Sequence, residues 1–144
     1  MWMRFERLEN LVRINKMKRE PPAQLEIDEL VQRANARLDD AENTALNVES
    51  RFDLAYGAAH AFSVAALRFH GYRSDNRVLV LQALQDTVGL PAARWRVLDL
   101  AHSKRNVFEY GGTVSIEQSM IDELIRVARE LEQLVAALGP VPAT

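Results

Sequence analysis

Cysteine is absent from the 144 residues. Its absence removes disulfides, thiolate metal centres and cysteine nucleophiles together, and fits a reducing compartment. Proline and glycine are scarce, at five and six residues. They punctuate the chain rather than fill linkers, and there is no internal repeat or low-complexity tract. No apolar run reaches the length of a membrane span. The longest, Ala55–Leu67, is interrupted by His60 and Ser63. The opening Met1-Trp2-Met3-Arg4-Phe5-Glu6 mixes acid and base and lacks a signal-peptide core, so the chain reads as cytoplasmic and soluble, without membrane contact. The three histidines, at positions 60, 70 and 102, make no HExxH, and the ExxH pairs of a di-metal carboxylate bundle are missing. No metal site and no cofactor is expected. There is no P-loop and no GxGxxG, and Gly111-Gly112 is more simply a helix stop. Neither Ser63 nor Ser103 has a base arrangement in sequence, which argues against a serine hydrolase.

What is present is ordinary globular chemistry, with 48% hydrophobic and 26% charged residues, in a length that buries one core without staples. The pattern is helical throughout, and an all-α antiparallel bundle of five or six helices is expected. Residues 1–22 hold Phe5, Leu8, Leu11 and Val12 at helical spacing in a short or mobile helix that Pro21-Pro22 stops. The bundle proper runs over 23–139, and 140–144 is a tail. Ala23–Val48 carries one apolar stripe, from Ile27 to Val48, opposite a polar face of Asp28, Gln32, Asn35, Asp39 and Glu42. Arg51–His70, with Ser50 and Asp53 as its cap, is apolar on nearly every side and rich in alanine, which marks a central helix. Gly71 suits its C-terminal cap. Asn76–Val88 follows, started by Ser74 or Asp75 and ended by Gly89; Pro91–Tyr110 comes next. A Ser115/Gln118 capping box opens the last helix, Ile116–Leu138. No segment alternates long enough to argue for a strand, and Val78–Leu81 sits inside a helical pattern.

Net charge is −2, so the whole molecule is no generic polyanion binder. The charge is nevertheless uneven. Between Leu54 and Arg105, seven arginines and lysines face three aspartates, and an acidic segment follows. A basic middle of this kind makes either a local anion-binding face or a set of solvated helix faces. Within it, one position stands out. At 100° per residue, Arg105 falls about 20° from Leu98, inside the stripe of Val97, Leu98, Ala101 and Phe108, with His102, Glu109 and Trp95 on its flank. A guanidinium on an apolar stripe stays charged and needs a carboxylate, a ligand or a partner chain. Glu109, four residues on, is the simplest candidate partner; a bound anion or a second subunit are the others. On the central helix Tyr56 and His60 share a face. His60 is a satisfied core histidine unless that face meets Arg105. His70, at the helix end, is expected to have its charge stabilised by the helix dipole.

At Arg105-Asn106-Val107-Phe108-Glu109-Tyr110 the chain resembles the HEPN superfamily. These are small helical bundles, often dimeric, of toxin–antitoxin, defence and RNA-processing systems. Their signature is an arginine, a polar residue, three variable residues and a histidine on a late helix. Arg105 and Asn106 match its first two positions, and Tyr110 stands where the histidine would be. Ala55-Tyr56-Gly57-Ala58-Ala59-His60-Ala61, Leu67-Arg68-Phe69-His70-Gly71-Tyr72 and Leu98-Asp99-Leu100-Ala101-His102 add similar context. The likeness spans about Leu25 to Leu138 and is specific only over the two central stretches. It implies a homodimer and a nucleotide- or RNA-associated binding or regulatory module, with an antitoxin or nucleotidyltransferase protein as candidate partner. The implied groove is lined by Tyr56, His60, His102, Arg105, Asn106, Glu109 and Tyr110. In active members the arginine and histidine cleave RNA without metal, the histidine moving a proton and the arginine stabilising phosphate charge. Tyrosine, with a pKa of about 10, is a poor base at neutral pH. A metal-independent endoribonuclease using Arg105 with His102 or Tyr110 is thus the alternative, and a non-catalytic homodimeric interaction protein the third.

Overall fold

The computed structural model describes residues 5–109 and 116–142. In chain order the elements are α1 (Glu6–Arg13), β1 (Lys18–Arg19), α2 (Gln24–Ala41), α3 (Val48–Phe69), β2 (Tyr72–Arg73), α4 (Arg77–Gln82), α5 (Leu84–Thr87), α6 (Ala92–Glu109) and α7 (Gln118–Ala136). The molecule is an all-α bundle with one small antiparallel sheet, β1 against β2. With α4 and α5 taken as one helix interrupted at Ala83, the described residues form the expected number of helices. No helix among them is long and apolar enough to cross a membrane.

α3 is the axis of the fold, as its composition requires. Phe52, Ala55, Tyr56, Ala58, Ala59, Phe62, Ala65 and Ala66 are all buried, and α2, α4, α5, α6 and α7 each pack against it. Its alanines carry no bulk beyond Cβ, so neighbouring helices approach closely. Ser63 is no nucleophile: its hydroxyl is buried and donates to the Ala59 carbonyl one turn back, at 2.7 Å. The main core joins α3 to Leu38 of α2, Leu98 and Ala101 of α6, and Ile121, Leu124 and Leu131 of α7. A second apolar cluster seats α1 on the far end of α3: Leu8 and Met17 meet Leu67, Tyr72, Val80 and Ala83.

Several boundaries differ from the sequence reading. α2 stops at Ala41, short of Val48, because residues 42–47 turn. There the Asn43 carboxamide accepts from Ala45 N at 3.0 Å, an Asx turn that competes with helix. Asn47, not Ser50, caps α3: in extended conformation it accepts from Ser50 N at 2.7 Å. Asn76, not Ser74 or Asp75, caps α4 through Leu79 N at 3.1 Å. α7 starts two residues later than expected, behind Glu117, which makes no side-chain cap; Ser115 lies outside the described residues. The strand pair is an addition. Lys18 pairs with Arg73 and Arg19 with Tyr72, and two residues per strand are too few to leave an alternating pattern. Gly71, at φ +84°, makes the reversal that brings β2 back to β1.

Two arginines hidden in the basic middle of the sequence are structural. Arg68, 1% exposed, ends α3 in a polar knot. It donates to Glu26 at 2.8 Å and to the carbonyls of Glu20 (2.9 Å), Pro21 (2.7 Å) and Tyr72 (3.2 Å). Arg73 closes the knot on Glu20 and Glu26. The result holds the diproline linker and the start of α2 against the end of α3. Arg51 does the same at the other end, donating to the last carbonyl of α2, Ala41, at 2.8 Å and to Gln118 at the start of α7 at 3.1 Å.

Candidate functional site between α3 and α6

α6 turns Leu98 and Ala101 into the core. Arg105, seven residues beyond Leu98, returns to nearly the same side. Its side chain is 22% exposed and its Nε lies 3.4 Å from Asp53 Oδ1 of α3. Its guanidinium carbon sits 5.3 Å from the centroid of the Tyr56 ring. Arg77, from the start of α4, places its guanidinium carbon 6.0 Å from the same centroid. The ring's negative face attracts both cations. Tyr56 has no exposed surface, so it acts as a buried support that fixes the groups around it.

His102, one turn before Arg105, is held at both ring nitrogens. Nδ1 is 2.8 Å from the Tyr56 hydroxyl, and Nε2 is 3.2 Å from Asn106 Nδ2. The Asn106 carboxamide covers Nε2, and the Tyr56 hydroxyl covers Nδ1. His60 lies one turn along α3 from Tyr56, its ring nearly parallel to the tyrosine ring (18°) with centroids 6.4 Å apart. Burial pushes its pKa down to about 4, helped by the charges of Arg77 and Arg105, by His102 and by Arg37. Arg37 arrives from α2 across Gly57. A Cβ at position 57 would meet Arg37 Cδ at 3.6 Å and Nη1 at 3.7 Å, so the arginine stem lies alongside the glycine at ordinary contact distance.

The structure therefore brings together Tyr56, His60, His102, Arg105 and Asn106, which the sequence reading singled out. Tyr110 and the Glu109 side chain lie outside the described residues. Arg37, Arg77 and Asp53 were missed as members of the cluster. Arg37 sits on an exposed face of α2 and only the mid-helix Gly57 hints at a close approach there. Arg77 was one of seven cations, with no spacing to tie it to Tyr56. His70 is a correction. It does occupy the C-cap of α3, but its ring is half-buried between Phe5 and Phe69, with Nε2 3.1 Å from the Thr87 carbonyl. Burial lowers its pKa, so the neutral form is favoured where the helix dipole had been expected to stabilise the charge.

No family model, curated protein or solved structure matches this chain.

Proposed function

We propose that the chain is a HEPN-like helical binding module whose α3–α6 face takes the phosphate of a nucleotide or RNA, working as a homodimer beside an antitoxin- or nucleotidyltransferase-type partner. One observation carries the phosphate reading. A guanidinium at the motif arginine, Arg105, is fixed against a buried tyrosine in a half-buried cluster where Arg77 adds a second positive charge. Fixed guanidinium forks match phosphate oxygens in geometry and charge. Leu100 and Val107, seven residues apart on α6 and both exposed, support a second copy packing on this helix; a monomer in light scattering removes the dimer. Binding of a labelled single-stranded RNA and of nucleoside phosphates, followed by fluorescence anisotropy and calorimetry, tests the reading. Arg105→Ala should weaken binding at least about tenfold, the scale of one charge-assisted hydrogen bond. Equal binding by wild type and variant overturns it.

The second reading, metal-independent RNA cleavage, is favoured by the His102 imidazole one turn from the arginine. It ranks lower because both ring nitrogens of His102 are engaged, by Tyr56 and Asn106, and one would have to be released. RNA cleavage in EDTA by wild type, lost in Arg105→Ala, selects it over simple binding.

A further inference from the structure

We infer that Arg37 and Arg77 extend the Arg105 position into a three-guanidinium cradle, built from α2, α4 and α6, for a ligand with successive phosphate groups. The inference rests on the phosphate reading above and adds to it the two residues that no sequence motif contains. Three cations from three separate helices converge on one short stretch of α3, Tyr56 to His60. Arg77 and Arg105 both approach the Tyr56 ring, and Arg37 lies on Gly57. His60 beside them has its basicity lowered first by burial and then by the charges of Arg77, Arg105 and Arg37.

Convergence, together with pairing, marks this face. Many of the other arginines are matched: Arg7 with Asp86, Arg19 with Glu9, Arg73 with Glu20 and Glu26, Arg94 with Glu130, and Arg129 with Asp39, Glu42 and Glu132. Arg13, Arg33, Arg96 and Arg126 stand singly along their helices, whereas Arg37, Arg77 and Arg105 meet at one stretch of α3. Among the described residues, no carboxylate lies within ion-pair distance of Arg37 or Arg77. Asp53 reaches only Arg105, and it is itself largely in water. Gathering like charges without acids to offset them is unfavourable in the free protein. A polyanion recovers that cost on binding, because each phosphate meets a charge already in position. A single phosphate satisfies one fork; a chain of phosphates uses all three. Successive phosphates occur in a nucleoside polyphosphate and in an RNA backbone, and the experiment separates these two sources.

The 144-residue chain is titrated with sodium tripolyphosphate by calorimetry and with a fluorescein-labelled single-stranded oligoadenylate RNA by anisotropy, at low and moderate salt. Wild type is compared with Arg37→Gln, Arg77→Gln and the double variant; Arg33→Gln, an exposed cation on the same helix as Arg37, is the control. Because Arg37 and Arg77 are exposed, the variants should melt like wild type. Each single change should cost about tenfold in affinity, the double change more, and the RNA salt slope should fall by about 0.7 per arginine removed. Loss of tripolyphosphate binding identifies the free polyphosphate source; loss confined to RNA identifies the backbone. If Arg105→Ala weakens binding while Arg37→Gln and Arg77→Gln bind like wild type, the cradle is overturned and the phosphate reading survives. If wild type takes neither probe, both fall.

Discussion

His60 makes the stability of this fold depend on pH in a direction that the cluster dictates. Its imidazole is part-buried and faces Arg77, Arg105 and Arg37, so protonation is opposed by burial first and by like charge second; its folded pKa is about 4. In the unfolded chain the same group titrates near the ordinary imidazole value of 6.5. Between those two values the unfolded state binds more protons than the folded one, so stability rises with pH and is lost as pH falls from about 6.5 toward about 4. Integrating that difference from pH 7 to pH 5 gives about 2 kcal/mol from His60 alone, less whatever solvent screens at the exposed edge. His70 pulls in the same direction. The assay is urea denaturation at pH 7 and pH 5 for wild type and His60→Gln. The window stops at pH 5 because Glu20 and Glu26, whose pKa values their arginine partners lower, add their own acid lability below it. The variant should lose markedly less stability over this interval, by about 2 kcal/mol. Direct NMR titration gives the second readout. If His60 titrates near 6.5, or if His60→Gln shows the full wild-type loss, the account of a cationic, desolvated cluster fails.

Two further outcomes follow from the packing. Arg68→Ala removes a buried guanidinium with four partners; Glu26 keeps Arg73, but three backbone carbonyls lose their donor. It should destabilise the fold by about 3 kcal/mol, read from the denaturation midpoint, at about 1 kcal/mol for each acceptor left open; a change under about 1 kcal/mol would mean the knot is replaceable by water. Gly57→Ala fills a helical position where the new methyl meets Arg37 Cδ at an ordinary 3.6 Å. It should therefore stabilise by about 1 kcal/mol, a rise of about 3 °C in melting temperature, and a fall instead would show that the Arg37 stem cannot yield.

The helices were legible because their apolar spacing is strong. α3 declared itself central through alanine and aromatic residues on every side, and Arg105 declared itself anomalous by sitting on the stripe of Leu98 and Ala101. Boundaries were less legible where several cap-capable residues stand close together. Asn47 and Ser50 both suit an N-cap, and Asn47 takes the place by accepting from Ser50 N. The sheet was invisible because Lys18-Arg19 and Tyr72-Arg73 pair only after α1 and α3 have delivered their ends to one place. Within the site, Tyr56 with His60 and His102 with Asn106 were legible as i,i+4 pairs on single helices. Arg37 and Arg77 were not, because their membership depends on how α2 and α4 pack against α3, which no local pattern encodes.

Arginine thus does two jobs here, and pairing together with burial tells them apart. Arg68 and Arg51 are buried and spend their donors on backbone carbonyls: Arg51 on the open carbonyl at the end of α2, Arg68 on the diproline linker and β2 as well as on the Glu26 carboxylate. Both use the geometry of the fork, so a lysine should not replace them. Arg37 and Arg77 cap no helix end, and among the described residues no acid pairs with them, yet they point at the same turn of α3 as Arg105. Folding alone gives no reason to hold three cations there, since Asp53 faces only one of them. The arrangement is economical if an anion completes it, and that is why the phosphate reading is tied to the face where three cations converge.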